Sequence, residues 1–176
     1  MTNEPVQLLN LKEAEEMSTP NILATRIDNR LVHGQVGVTW TNTLGANLVV
    51  VANDEVATDP VQQSLMDMVL PDAVQIRFFT IEKTVAIIGK AAPHQKILLV
   101  VKTPQDALRL VEGGVPIKEV NVGNLHFSEG KKQLAPTLSV DQDDIDTFYK
   151  LHDLGIKLDV RGIPSDRSKD MMEYIK

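Results

Sequence analysis

The run Arg26-Ile27-Asp28-Asn29-Arg30-Leu31-Val32-His33-Gly34-Gln35-Val36 sets one imidazole after two guanidiniums and ahead of a stretch of backbone N–H groups. An imidazole accepts a phosphoryl group at neutral pH and releases it readily once protonated, so a histidine among anion-binding groups can load and unload phosphate as a relay. On this reading Arg26 and Arg30 supply charge-assisted, fork-shaped hydrogen bonds to the anion. The N–H groups of Gly34, Gln35 and Val36 supply a first helical turn with its positive dipole end. Asp28 needs another part, because a carboxylate repels phosphate. It is expected to orient the imidazole or an arginine and so select the tautomer. The residues alone leave a second reading open, in which His33 only caps a helix and the arginines are solvated.

Such a constellation needs a scaffold. Beyond residue 20, short Val/Ile/Leu-rich runs alternate with polar junctions and segments of helical spacing, the mark of a parallel α/β sheet. Strands are expected at 22–26, 48–52, 75–79, 97–101, 119–122 and 157–160, and a helix from about 34 to 44. Helix starts are signalled by Asp59-Pro60 with Gln62, by Thr103-Pro104 with Asp106, and by Asp141 with Asp144. Gly113 and Gly155 are expected to close two of these helices. Segments 89–95 and 127–136 read as irregular loops. The expected fold is therefore α/β, a single domain with a mostly parallel sheet, helices on both faces and an active-site loop after the first strand. Ligands of such sheets sit at the carboxyl ends of the strands, where His33 falls.

The 176 residues suit one well-buried core, with a polar lead-in over 1–20 that stays attached, a carrier domain over 21–176, and Met17 as a possible alternative start. A net charge of −6 disfavours nucleic acid and anionic membranes as partners. The absence of cysteine excludes disulfides, thiolate metal sites and cysteine nucleophiles. Apolar runs such as Leu48-Val49-Val50-Val51-Ala52 fall far short of the ~20 residues that span a bilayer, so a soluble protein is expected. Neither a G-x-G-x-x-G fingerprint nor a Walker loop is present, since Gly89-Lys90 and Gly130-Lys131 lack the required neighbours. His94, His126 and His152 are isolated and read as surface or packing residues, and no short metal-ligand set occurs. Trp40 reads as a packing aromatic, and 141–146 as a solvated helix start.

The segment Arg26 to Trp40 resembles the phosphorylation-site segment of the IIB component of mannose/fructose/sorbose-family phosphoenolpyruvate-dependent sugar phosphotransferase systems. The resemblance continues through Val49-Val50-Val51-Ala52-Asn53-Asp54, Lys102-Thr103-Pro104, Asn121-Val122-Gly123-Asn124 and Arg161-Gly162-Ile163-Pro164, and covers about 20–170. It implies that His33 accepts a phosphoryl group on Nδ1 from a IIA protein. It further implies transfer to a sugar during import through membrane components IIC and IID, with Arg26, Asp28 and Arg30 in the active-site loop and no cofactor or metal. A cytoplasmic protein, peripherally associated with its transporter, is implied as well. Asn29 stands where many members carry a second aspartate. The stretch 123–133, with Asn29 and 80–84, resembles the N-acetylgalactosamine and galactosamine branch more than the mannose branch; mannose, fructose and sorbose remain alternatives. From different classes, a non-catalytic anion-sensing α/β module and an enzyme acting alone on nucleotide or sugar phosphates also remain.

Overall fold

The computed structural model describes residues 19–176; the polar lead-in over 1–18 and the alternative start at Met17 lie outside the described residues. Seven strands form the main sheet: β1 (Asn21–Asp28), β2 (Leu48–Ala52), β3 (Gln75–Phe79), β4 (Lys96–Val101), β5 (Glu119–Asn124), β8 (Lys157–Val160) and β9 (Lys169–Asp170). Their order is β3-β2-β4-β1-β5-β8-β9, parallel except for β9, which runs antiparallel to β8. The strands that were expected are present at the expected places, with β1 and β5 each running two residues further and β1 and β4 each beginning one residue earlier.

The helices divide between the two faces because parallel crossovers are right-handed. The chain moves outward from β1 to β2 and β3, then returns to β4 and crosses β1 to reach β5. The outward crossovers carry α1 (Thr41–Leu44) and α2 (Pro60–Asp67); Val36 and Trp40 just before α1, Val56 just before α2 and Met66 within α2 cover one face. The return crossovers carry α3 (Ile81–Ile87), α4 (Pro104–Glu112) and α5 (Gln142–Asp153), which bring Ile81, Ala107, Leu110, Phe148 and Leu151 to the other. The period of two along each strand feeds both cores: Leu48, Val50 and Ala52 point one way, Val49 and Val51 the other. The caps read from the sequence are present. Asp59 accepts from the Val61 and Gln62 N–H groups, Thr103 from that of Asp106, and Asp141 and Asp144 form a reciprocal capping box. At the end of α4 it is Gly114, not Gly113, that takes the left-handed conformation, with φ of 93°.

Two expectations are corrected. Segment 127–136 is not wholly irregular, because Lys132–Ala135 forms β6 and pairs antiparallel with β7 (Leu138–Val140). Polar Lys132 and Gln133 hid a short strand whose partner lies just across a turn. Segment 141–146 is not a uniformly solvated start: Asp144 is buried, 2.7 Å from Lys131 Nζ, and receives a hydrogen bond from Gln105. The pair ties the segment after β5 to α5.

The segment after β1 is held under strain. Leu31 closes the turn, its N–H bonded to the Asp28 carbonyl at 2.9 Å, and takes a φ of 57° that branched side chains avoid. Leu31 and Val32 are buried in the core beneath α1 and α2, and that burial offsets a backbone cost of about 1 kcal/mol or more. From Gln35 to Trp40 the helix is wound as π turns, continuing into α1. Thr41 Oγ1 donates to the Gly37 carbonyl at 2.6 Å, and a Cβ on Gly37 would lie 2.8 Å from the Val69 carbonyl oxygen, so glycine allows the widened turn to meet the end of α2. Leu31→Ala removes the buried anchor while keeping the unfavourable φ. Urea titration is expected to show a loss of about 2–4 kcal/mol; an unchanged midpoint would mean that the turn is held by its hydrogen bonds alone.

Candidate active site

β1 and β5 are neighbours whose crossovers leave in opposite directions, which opens a crevice at their carboxyl ends. Asp28 and Asn124, paired in register at those ends, line its floor. Arg26 and Asp28, two apart on β1, project from the same face and form a salt bridge of 3.1 Å with both side chains 0% exposed. His33 stands above them with a side chain 19% exposed and Nε2 2.8 Å from Asp28 Oδ2.

Asp28 is held on both oxygens. Oδ1 accepts the Arg30 N–H at 3.0 Å, and Oδ2 accepts from Arg26 Nη2 at 3.1 Å, Arg26 Nε at 3.3 Å and Asn124 Nδ2 at 2.9 Å. Burial pushes the carboxyl up, but hydrogen bonds from His33 and Asn124, then the charge of Arg26 and the Arg30 N–H, outweigh it and hold it below the usual carboxylate range. Burial also lowers the Arg26 guanidinium, against the pull of Asp28. A carboxylate that is ionised and already accepting from three directions leaves its fourth neighbour one role. His33 Nε2 must donate, which places the free lone pair of the ring on Nδ1.

Arg26 is placed otherwise than an anion ligand at the surface would be. Its guanidinium is spent inside the protein, on Asp28, on Asn121 Oδ1 at 2.6 Å and on the Arg161 carbonyl at 3.2 Å, with the Trp40 ring centroid 5.0 Å from Cζ. Gly123 makes room for it, since a Cβ there would fall 2.1 Å from Arg26 Cζ. Arg30 is exposed three residues before His33. Gly34 is exposed and Val36 buried, and with Gln35 they follow His33 directly in the chain at the start of the π turns. His94, His126 and His152 are exposed, and none of them takes part in these hydrogen bonds.

Sequence reasoning tied Asn121 to Asn124 and Arg161 to Pro164 to the family resemblance but gave them no part in the site, and it did not single out Asp159 or Ser168. Asn121, in register with both Arg26 and Asp159, donates to Asp159 Oδ2 at 3.4 Å. Asp159 in turn accepts from Arg161 Nε at 2.7 Å and from the Ser168 hydroxyl. Trp40 Nε1 donates to the Gly162 carbonyl at 3.1 Å, tying the π turns to the loop after β8. The available signal was Asn121 and Gly123, set on either side of Val122 in β5, where period two puts them on one face. A cavity of about 490 Å³ lies on this face toward the amino ends of the strands, lined by Thr25, Trp40, Asn121, Asp159 and Arg161 among others.

A family model described as the sorbose-subfamily IIB component of the phosphotransferase system (PTS) matches residues 22–176. The chain belongs to this family. It is a phosphotransferase component, 54% identical over 156 residues to the N-acetylgalactosamine-specific phosphotransferase enzyme IIB component 1 of Escherichia coli (strain K12), with 88% of this chain and 99% of that protein covered. It is also 39% identical to the mannose-specific EIIAB component of the same organism, over 85% of this chain and 47% of that protein. A crystal structure of a PTS-dependent N-acetyl-galactosamine IIB component from Streptococcus pyogenes superposes with a TM-score of 0.84 at 44% identity, covering 89% of this chain and 98% of that one. The single-domain, mostly parallel α/β architecture is thus that of PTS IIB domains.

Since the folded state holds Asp28 below its ordinary range, its contribution to stability is fully present above about pH 4 and is lost as pH falls through the lower folded value. Asp28→Asn is expected to be less stable than wild type at pH 7, and the gap to narrow below pH 4. Urea midpoints measured from pH 7 to 2.5 test this; a gap independent of pH would show that the ionisation of Asp28 is not coupled to folding.

Proposed function

We propose that this IIB component accepts a phosphoryl group from phospho-IIA on Nδ1 of His33 and passes it to a sugar hydroxyl presented by IIC and IID. The observation that carries this reading is the 2.8 Å contact between His33 Nε2 and an Asp28 carboxylate locked in its ionised form. Nδ1 attacks the phosphorus in line as the bond to the donor group breaks, and the ring becomes an imidazolium carrying phosphate on Nδ1 and hydrogen on Nε2. Asp28 balances that positive charge. In the second transfer the sugar oxygen attacks phosphorus, the N–P bond breaks with its electrons returning to Nδ1, and the hydroxyl proton leaves to a base or solvent on the membrane side. Both steps are chiefly positioning and electrostatics, and neither calls for a cofactor or a metal.

Within this reading the two arginines part company. Arg30, exposed and close to His33 in the chain, meets the transferred phosphoryl, with the N–H groups of Gly34, Gln35 and Val36 as further donors. Arg26 acts on Asp28 from below. The carrier activity belongs to residues 21–176. The higher identity to the N-acetylgalactosamine-specific relative than to the mannose-specific one supports an amino sugar of the galactosamine type. No helix among the described residues is long and apolar enough to cross a membrane, which supports a cytoplasmic carrier recruited by IIC and IID.

Incubation with phosphoenolpyruvate, the general phosphotransfer proteins and the cognate IIA is expected to leave an acid-labile phosphoryl group on His33, read by mass spectrometry. His33→Ala should abolish labelling with the fold intact, and full labelling of that variant would overturn the assignment. Arg30→Gln should slow transfer roughly ten- to a hundred-fold, the effect of losing one charge-assisted hydrogen bond; a wild-type rate would leave Arg30 a solvated charge. With membranes carrying IIC and IID, phosphoryl transfer should favour N-acetylgalactosamine or galactosamine, and preferred transfer to mannose or sorbose would refute the sugar while leaving His33 standing.

A further inference from the structure

Asn124 is absent from the anion-binding loop, yet it grips that loop at two points. Its carbonyl accepts the Asn29 N–H at 3.0 Å, and its side-chain Nδ2 donates to Asp28 Oδ2 at 2.9 Å. Arg26 and the Arg30 N–H, which also hold Asp28, come from β1 and from the turn that follows it, so they move with the residue they restrain. Asn124 comes from the neighbouring strand. Its own position is fixed from beyond, because Leu125 bonds to the Thr137 carbonyl at 2.9 Å and accepts from the Ser139 N–H at 2.8 Å, while Lys131 anchors the following segment on Asp144.

An imidazole hydrogen-bonded to a carboxylate points only as accurately as the carboxylate is aimed. Oδ2 has its remaining directions filled by Arg26 and Asn124, so the one left open is toward His33. We propose that Asn124 is a positioning residue for phosphoryl transfer: it references the Asp28 carboxylate to β5 and thereby aims the His33 ring so that Nδ1 faces the incoming phosphorus. The proposal rests on His33 being the phosphoryl carrier. Asn124 touches neither the phosphoryl group nor the reacting nitrogen, and it acts through Asp28. Neighbouring Gly123 and Asn121 serve the same frame from below by housing and holding the Arg26 guanidinium.

Two variants test it. In Asn124→Ala the single-turnover rate of phosphorylation by phospho-IIA is expected to fall about tenfold or more, the scale on which loosened positioning acts, with KM for phospho-IIA unchanged. The proton on His33 Nε2, observed by nitrogen-15 NMR of the unphosphorylated protein, should at the same time exchange with water at least about tenfold faster than in wild type. In Asn124→Asp the new carboxyl faces Asp28, with Arg26 and His33 beside it. When protonated it can donate to Asp28 as the amide does, and when ionised it repels Asp28. This variant should therefore approach the wild-type rate at low pH and lose activity as pH rises, a limb that wild type lacks. An Asn124→Ala rate equal to wild type would overturn the proposal, as would a lowered rate with an unchanged Nε2 proton, which marks a structural role only. Should Asn124→Ala fail to fold, the pH profile of Asn124→Asp decides alone, and a profile parallel to wild type overturns it. If wild type itself carries no phosphate on His33, the carrier reading fails, and the exchange of the Nε2 proton still reports whether Asn124 aims the ring.

Discussion

The buried ion pair between Arg26 and Asp28 is the constraint on which the site depends. Two charges taken out of water gain little net stability, yet removing one partner leaves the other uncompensated at a cost of about 3–5 kcal/mol. The surrounding structure is therefore obliged to satisfy both completely. Asn121 and the Arg161 carbonyl accept from the guanidinium, Asn124 and the Arg30 N–H donate to the carboxylate, Trp40 covers Arg26, and Gly123 gives up its side chain to leave space. His33 takes the last position on Asp28. The His33 imidazole is thus attached to the interior of the sheet although its side chain is partly exposed.

This pair is the end of a longer row. From Ser168 and Arg161 through Asp159 and Asn121 to Arg26, Asp28 and His33, polar groups of alternating character cross β8, β5 and β1 on one face. Apolar side chains in those places would pack without any directional demand. Hydrogen-bonded groups in a low-dielectric setting have few satisfactory arrangements, so the row specifies the register of three strands and the direction of one ring together. The strained φ of Leu31 and the π turns after His33 belong to the same economy. The turn closed by Leu31 brings His33 back over Asp28 while Leu31 and Val32 enter the core, and the π turns begin directly after it.

Much of this protein is legible in one dimension. Short continuous runs of Val, Ile and Leu determine the central strands, and Asp59, Thr103 and Asp141 determine helix starts, because these signals act over four or five residues and need no distant partner. The same locality placed His33 after β1, at the end of the sheet where ligands bind, and kept Arg26, Asp28 and Arg30 within seven positions of it in the chain. Where the reading was incomplete, the missing information was long-range. Lys132 and Gln133 do not look like a strand until Leu138–Val140 pairs with them, and Asp144 looks solvated until Lys131 arrives from thirteen residues earlier.

The roles within the site were decided by tertiary structure for the same reason. In sequence, Arg26 and Arg30 are equivalent guanidiniums flanking a carboxylate. In the fold they are opposite in kind, because strand alternation turns Arg26 beneath the sheet face toward Asn121, a partner 95 residues away, while the turn after Asp28 leaves Arg30 in solvent. Likewise the sequence determined that a histidine and an aspartate lie five residues apart, but only the strained turn brings Nε2 onto Oδ2, and only the placement of β5 beside β1 supplies Asn124 to hold that oxygen still. Residue types set which interactions are chemically available; the order of the strands, which no local pattern encodes, selected which of them are made.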